Sequence, residues 1–179
     1  MNARTASTAP PTVGRYRIDP TRTTIRFHTR HLFGLGSVSG TFQLRQGDLT
    51  VAEPVTSTTL RASVSAASFD TGLRKRDTAV RSAKYLDVTV YPDISFDSQQ
   101  VHRHEGKWMV TGTITAHGIA APATLTLDEL HHDDGGQLRL RASARIDRYA
   151  HRVTAGKGLA ARWLTVQIDA TATPANTDD

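Results

Sequence analysis

The chain of 179 residues contains no cysteine, which excludes disulfide bridges, thiolate nucleophiles and cysteine metal ligands. Glutamate is scarce, with only Glu53, Glu105 and Glu129, and aromatic residues make up 6% of the chain. No run of eighteen apolar residues occurs, so no helix in the sequence is long and apolar enough to span a bilayer. Residues Met1 to Gly14 are rich in Thr, Ala and Pro and lack the apolar centre of a secretory leader; a cytoplasmic location is the expectation. No glycine-rich loop opens a helix, as a phosphate cradle requires. Nor does any Ser, His or carboxylate stand at the spacing of an activated nucleophile or a paired acid and base. Non-catalytic work without a cofactor is therefore expected.

An apolar share of 38% with 22% charged residues is enough for a folded core. The net charge of +5, from 22 basic and 17 acidic residues, is spread along the chain. Its one basic cluster, Arg74-Lys75-Arg76, is followed at once by Asp77, so a nucleic-acid partner is not expected.

The dominant signal is alternation. Leu138, Leu140, Ala142, Ala144 and Ile146 fall on one face, and Arg139, Arg141, Ser143, Arg145 and Asp147 on the other. Side chains alternate across a strand, so this segment buries one side and wets the other. The same period runs through Ile25, Phe27, Thr29 and His31, then Val38 to Leu44, Leu60 to Val64, and Ile94 with Phe96. It continues through Trp108 to Ile114, Leu125 with Leu127, and Leu164 to Ile168. Roughly eight one-sided, mostly antiparallel strands with short links predict an all-β barrel, or a two-sheet sandwich. From Leu73 to Leu86 the period vanishes, and Leu73, Val80 and Ala83 fit a helical stripe that Asp70 or Thr71 would cap and Pro92 would end. The expected division is a disordered leader (1–14), a barrel domain (15–173) and a polar tail (174–179).

Function then turns on the inward rows. Either they line a tunnel for an apolar ligand or they meet in a dry core, and alternation does not separate the two. His102 and His104 share a strand face and His131-His132 precedes Asp133-Asp134, but no third ligand stands at a recognised spacing, so no metal is predicted. His28 and His31 fall on opposite faces. His31 alone joins an inward row, where it would meet a ligand head group or a backbone partner. Arg76-Asp77 reads as an anchor for the helical insertion, or as a polar patch at the opening.

Five blocks, in order, resemble the YceI-like, or polyisoprenoid-binding-like, family. They are Tyr16-Arg17-Ile18-Asp19-Pro20; Val38-Ser39-Gly40-Thr41-Phe42; Ala67 to Gly72 with Arg76-Asp77, Leu86-Asp87, Tyr91-Pro92 and Ile94-Ser95-Phe96; Val110 to Thr115 with Gly118 and Pro122; and Ile146-Asp147-Arg148-Tyr149. The resemblance covers about residues 16–172. It implies a lipocalin-like, eight-stranded antiparallel barrel that carries a long apolar molecule, such as a polyisoprenoid, an isoprenoid quinone or a related lipid. Many family members are exported, whereas this chain resembles the cytoplasmic branch. Two departures stand out. After Ala150 the family usually has a Phe-Gly pair where this chain has His151-Arg152, and Arg22 stands where the family often has His.

On this reading the ligand-binding candidates are Phe27, His31, Phe42, Leu60, Val64, Phe96, Val110, Ile114, Leu125, Leu140, Ile146, Val166 and Ile168. The alternatives are a lipid-modifying enzyme, and a packed barrel that serves as an interaction module, for example a homodimer through an exposed strand edge.

Overall fold

The alternating segments fold as antiparallel strands of one sheet. The computed structural model describes residues 11–31, 36–157 and 160–175, with His31 described in its backbone only. Its strands are β1 (Gly14–Ile18), β2 (Thr24–His31), β3 (Gly36–Val51), β4 (Thr59–Asp70) and β5 (Asp93–His104). They continue with β6 (Lys107–Ala116), β7 (Ile119–His132), β8 (Leu138–Asp147) and β9 (Trp163–Pro174). The sheet runs β2-β9-β8-β7-β6-β5-β4-β3 and closes where β3 returns to β2.

Nine strands make eight staves because β1 and β2 share one position between β3 and β9. β1 takes the far half (Gly14↔Val51, Ile18↔Ala172) and β2 the near half (Ile25↔Phe42, Ile25↔Ile168). The break is chemical. Pro20 has no N–H for a ladder, and the Asp19 carboxylate accepts a bond from the Thr21 N–H at 2.8 Å, which caps a 3-10 turn at Pro20–Arg22. The eight-stranded barrel expected from the sequence is the architecture found. The alternation read from the sequence starts at Ile25, so β1 is an addition to it: five residues are too few for alternation to stand out. Strand pairing begins at Gly14 and ends at Pro174, while residues 1–10 of the expected leader and 176–179 of the expected tail lie outside the described residues.

Register puts inward side chains in rings. Phe27 pairs with Val166, Val166 with Ala144, Ala144 with Leu125, Leu125 with Val110, and Val110 with Val101. Phe27 also lies opposite Gly40, where an added Cβ would meet its ring at 2.6 Å, so the aromatic ring occupies the space that glycine leaves. The β5–β6 and β6–β7 hairpins turn through Glu105-Gly106 and His117-Gly118, all four with positive φ, the turn that matches strand twist.

The helical insertion departs from expectation in extent and in capping. α1 spans only Arg74–Arg81. Leu73 is 51% exposed and Ala83 exposed, so the expected stripe does not form; Val80 alone packs inward, against Phe27, Phe69, Leu86 and Val153. Neither Asp70 nor Thr71 caps the helix. Asp77, inside it and 5% exposed, reaches back instead, and its Oδ1 accepts from the Thr71 hydroxyl at 2.6 Å and the Thr71 N–H at 3.1 Å. Arg81 donates to the Phe69 carbonyl through Nε and Nη2. The insertion is held to the end of β4 by these polar bonds together with Val80 and Leu86 against the phenylalanines. Replacing Asp77 by Ala is expected to destabilise the fold by about 2–3 kcal/mol, the range for hydrogen bonds to a buried charge. Asp77→Asn, which keeps an acceptor, should lose less. Urea unfolding midpoints check both, and an unchanged midpoint for the Ala variant would place the anchor elsewhere.

Candidate functional site

Twelve of the thirteen candidates line one cavity of about 1120 Å³ that runs along the barrel. They are Phe27, Phe42, Leu60, Val64, Phe96, Val110, Ile114, Leu125, Leu140, Ile146, Val166 and Ile168. The thirteenth, His31, ends β2 opposite Gly36, and its side chain lies outside the described residues.

The interior is hollow. In a filled barrel the mid-strand rows would be buried, yet Leu60, Val64, Val110, Ile114, Leu125, Leu140, Ile146, Val166 and Ile168 all keep intermediate exposure while pointing inward. Side-chain size explains the void. Ala62, Ala116, Ala142, Ala144 and Ala170 each take an inward position that a larger residue would fill.

Several lining residues escaped the sequence reading for one reason. β3 shifts register between Leu44 and Gln46, β5 between Ser98 and Gln100, and β7 between Leu127 and Glu129. An extra residue inverts which parity faces inward. The inward row therefore passes from Phe42 and Leu44 to Leu49 and Val51, from Ile94 and Phe96 to Val101, and from Leu125 and Leu127 to Leu130. Strict alternation stops at each bulge, and the readable signal beyond it is a second alternating run in opposite phase.

Polar lining residues gather at the two ends: Arg30, Arg76, Arg148 and His151 at the end bearing α1, and Arg103, Lys107, Asp128 and Glu129 at the other. Just inside the α1 end, Phe27, Phe42 and Phe69 form a cluster with ring centroids 5.1–5.6 Å apart. Arg76 and Asp77, adjacent in sequence, have separate surroundings. Asp77 anchors, while Arg76 faces the cavity with no hydrogen bond or ion pair among the described residues.

Arg148 organises the connection between β8 and β9. It donates to the carbonyls of Val153 at 2.6 Å, Ala161 at 2.8 Å, Ala155 at 2.9 Å and Ala160 at 3.0 Å. One guanidinium thereby supplies the donors that an irregular segment cannot find in a ladder. His151 sits in the 3-10 turn Arg148–His151 and is 4% exposed. Its Nδ1 is 2.9 Å from the Ile119 carbonyl, which can only accept, so that nitrogen carries the proton. The contact covers a seam. β7 and β8 pair only from Leu125↔Ala144 to His132↔Leu138, so Ile119 to Thr124 pair with β6 alone, a setting in which Pro122 is tolerated.

The two residues of the His151-Arg152 departure thus have different surroundings. His151 is an interior group, whereas Arg152 is exposed and adopts φ 57° and ψ 14°, the left-handed region that glycine occupies at no steric penalty. Arg152→Gly is expected to raise stability by about 1 kcal/mol, measured by urea unfolding. A loss would show that the Arg side chain contributes more than its backbone strain.

Asp147 closes β8 with its carboxylate gripped by Arg162, at 2.9 Å from Nε and 2.5 Å from Nη2, and by the Tyr149 N–H at 2.9 Å. These bonds, Arg162 foremost, hold the carboxyl below its usual range against the opposing effect of burial. A depressed carboxylate stabilises the fold above its unfolded pKa, near 4, and that contribution is lost as the pH falls through the lower folded value. The stability gap between the natural protein and Asp147→Asn should therefore be widest near neutrality and shrink below about pH 4. Denaturant titrations across pH check this, and a gap independent of pH would refute it.

The YceI-like domain model matches residues 16–172. A UPF0312 protein of Photorhabdus laumondii is 31% identical over 105 residues, which is 58% of this chain and 54% of its own length. The YceI protein of Salmonella arizonae is 30% identical over 122 residues, 66% of this chain and 63% of its own. The chain thus spans between half and two-thirds of the curated relatives it matches. Among solved structures, Burkholderia cenocepacia BcnA superposes with a TM-score of 0.77 at 19% identity, over 87% of this chain and 99% of that one. A polyisoprenoid binding domain from Saccharophagus degradans, implicated in plant cell wall breakdown, gives 0.66 at 13% identity, over 92% and 100%. At these identities the two structures speak to the fold alone.

Proposed function

The chain belongs to the YceI-like family, and from that premise we propose that its barrel carries one long apolar molecule, a polyisoprenoid, an isoprenoid quinone tail or a related lipid, without transforming it. The observation that carries this reading is the cavity of about 1120 Å³, apolar along its length and polar only at its ends. An elongated apolar guest with one polar terminus matches that distribution. Burial supplies the affinity: removing some 400 Å² of apolar chain from water is worth about 10 kcal/mol before the losses of association and ordering. A barrel of the same fold is named as a polyisoprenoid binding domain, which sets the ligand class to test.

The polar residues have orienting parts. Arg148 makes four hydrogen bonds to main-chain carbonyls and His151 holds Ile119. Arg30 and Arg76 remain to meet the guest's polar end. Side chains already committed to the main chain support a holding role over a catalytic one.

Mass spectrometry of an organic extract from the folded protein is expected to find one stoichiometric prenyl or fatty species. Ile114 pairs with Phe96 and Ala121 and faces the lumen half-exposed. Ile114→Arg should stay folded and bind a fluorescent prenyl alcohol at least about tenfold more weakly, since it removes apolar contact and places a cation in the path of the chain. An empty, stable protein that also rejects added prenyl lipids would sink the proposal.

A further inference from the structure

The two long connections at the α1 end, residues 71–92 and 148–162, carry nine Arg or Lys and two Asp, a net +7 against +5 for the whole chain, so everything else nets −2. The three connections at the opposite end, residues 52–58, 105–106 and 133–137, carry four acids and no Arg or Lys. The barrel is therefore electrically polar along its axis.

Four of the nine cations are committed or face inward: Arg76 to the cavity, Arg81 to Phe69, Arg148 to main-chain carbonyls and Arg162 to Asp147. Arg74, Lys75, Lys84, Arg152 and Lys157 remain, all exposed and without a carboxylate partner among the described residues. The same end gathers exposed apolar side chains. Leu73 is 51% exposed, Val90 62% and Trp163 40%, three of the four large exposed apolar residues among those described; Val13, beside β1, is the fourth and lies at the far end. The Trp163 ring is flanked by Arg145 at 4.4 Å and Arg162 at 5.3 Å.

We infer that this end of the barrel is a docking face for an anionic lipid bilayer, with Leu73, Val90 and Trp163 entering the interfacial layer and these five cations, Lys157 among them over the Tyr149 ring, meeting lipid phosphates. Single aliphatic groups and a Trp set among cations suit that layer, where rings and short apolar side chains sit at headgroup depth and basic groups add electrostatic attraction. A nucleic acid would engage the cations but leave Leu73 and Val90 in water. The cavity lining reaches Tyr85 and Ala160 at this end, so docking would bring the lumen to the lipid surface. The inference goes beyond the carrier reading and stands whether or not the lumen holds cargo.

Vesicle flotation of the full chain, with no prenyl ligand added, tests it. The protein is expected to float with vesicles of phosphatidylglycerol mixed with phosphatidylcholine, to be released by high salt, and to ignore pure phosphatidylcholine. The combined variant Arg74→Ser, Lys75→Ser, Lys84→Ser alters only exposed side chains and should keep its melting temperature while losing partition by about a hundredfold, the effect of three lost charges. In a Trp108→Phe background, Trp163 emission should shift to the blue on vesicle addition and be quenched by brominated lipid. Absence of binding to the anionic vesicles, unchanged partition of the triple variant, or silent Trp163 emission would overturn the inference. So would binding of a DNA duplex in place of vesicles, which would assign the cations to nucleic acid.

Discussion

Closure of the sheet is the constraint on which the rest depends. Once β3 pairs with both β2 and β4, every strand is held on two sides over part of its length, and each inward row faces the others across a common axis. The lumen is what remains when small side chains occupy part of that inner surface. Alanines on β8 and β9 contribute little volume, so the leucines and valines opposite reach into space rather than into neighbours. Apolar surface exposed to a void forgoes packing contacts. The barrel keeps such a void because its ladders satisfy the backbone whatever the lumen contains.

The two ends are finished by different chemistry. At the acidic end short turns suffice, such as the one in which Asp133 accepts from the Gly135 and Gln137 N–H groups. At the α1 end two of the connections, residues 71–92 and 148–162, are long and irregular, and single polar side chains take over the work of secondary structure. Asp77 ties down one connection and Arg148 the other, and Val153 and Leu86 bring the two together over the phenylalanine cluster. A buried charge is an expensive way to fix a loop, but it is directional, which apolar contact is not.

Strand number and twelve inward side chains were legible in the sequence because alternation is a local property that survives without knowledge of the partner strand, whereas closure came from the family resemblance, since alternation alone left a two-sheet sandwich open. What escaped was whatever breaks that locality. The bulges at Arg45, Gln99 and Asp128 reverse the phase within a strand, and so hid Leu49, Val51, Val101 and Leu130. The helix was overextended because Leu73 and Ala83 have helical spacing but no surface to pack against, and its true anchor, Asp77, acts through a bond back to Thr71 that no periodicity encodes. The hollow itself was ambiguous, since a dry core and a tunnel share one pattern and only the sizes of residues brought together by register separate them. The separate surroundings of Arg76 and Asp77 likewise needed the fold.

The broken first stave has a consequence for how the barrel comes into being. Its near half, β2, is locked between β3 and β9, and the pair Phe27↔Val166 joins residues from opposite ends of the chain. Contacts so distant in sequence are made late and slowly, because the entropy of closing the long loop must be overcome before they give any return. The strand that seals the lumen is the last of the nine to be made. Until then the inward rows belong to an open, curling sheet with its apolar face toward water. A chain without β9 therefore exposes an apolar face but has no container, so a guest of the proposed kind could be enclosed only once β9 has paired.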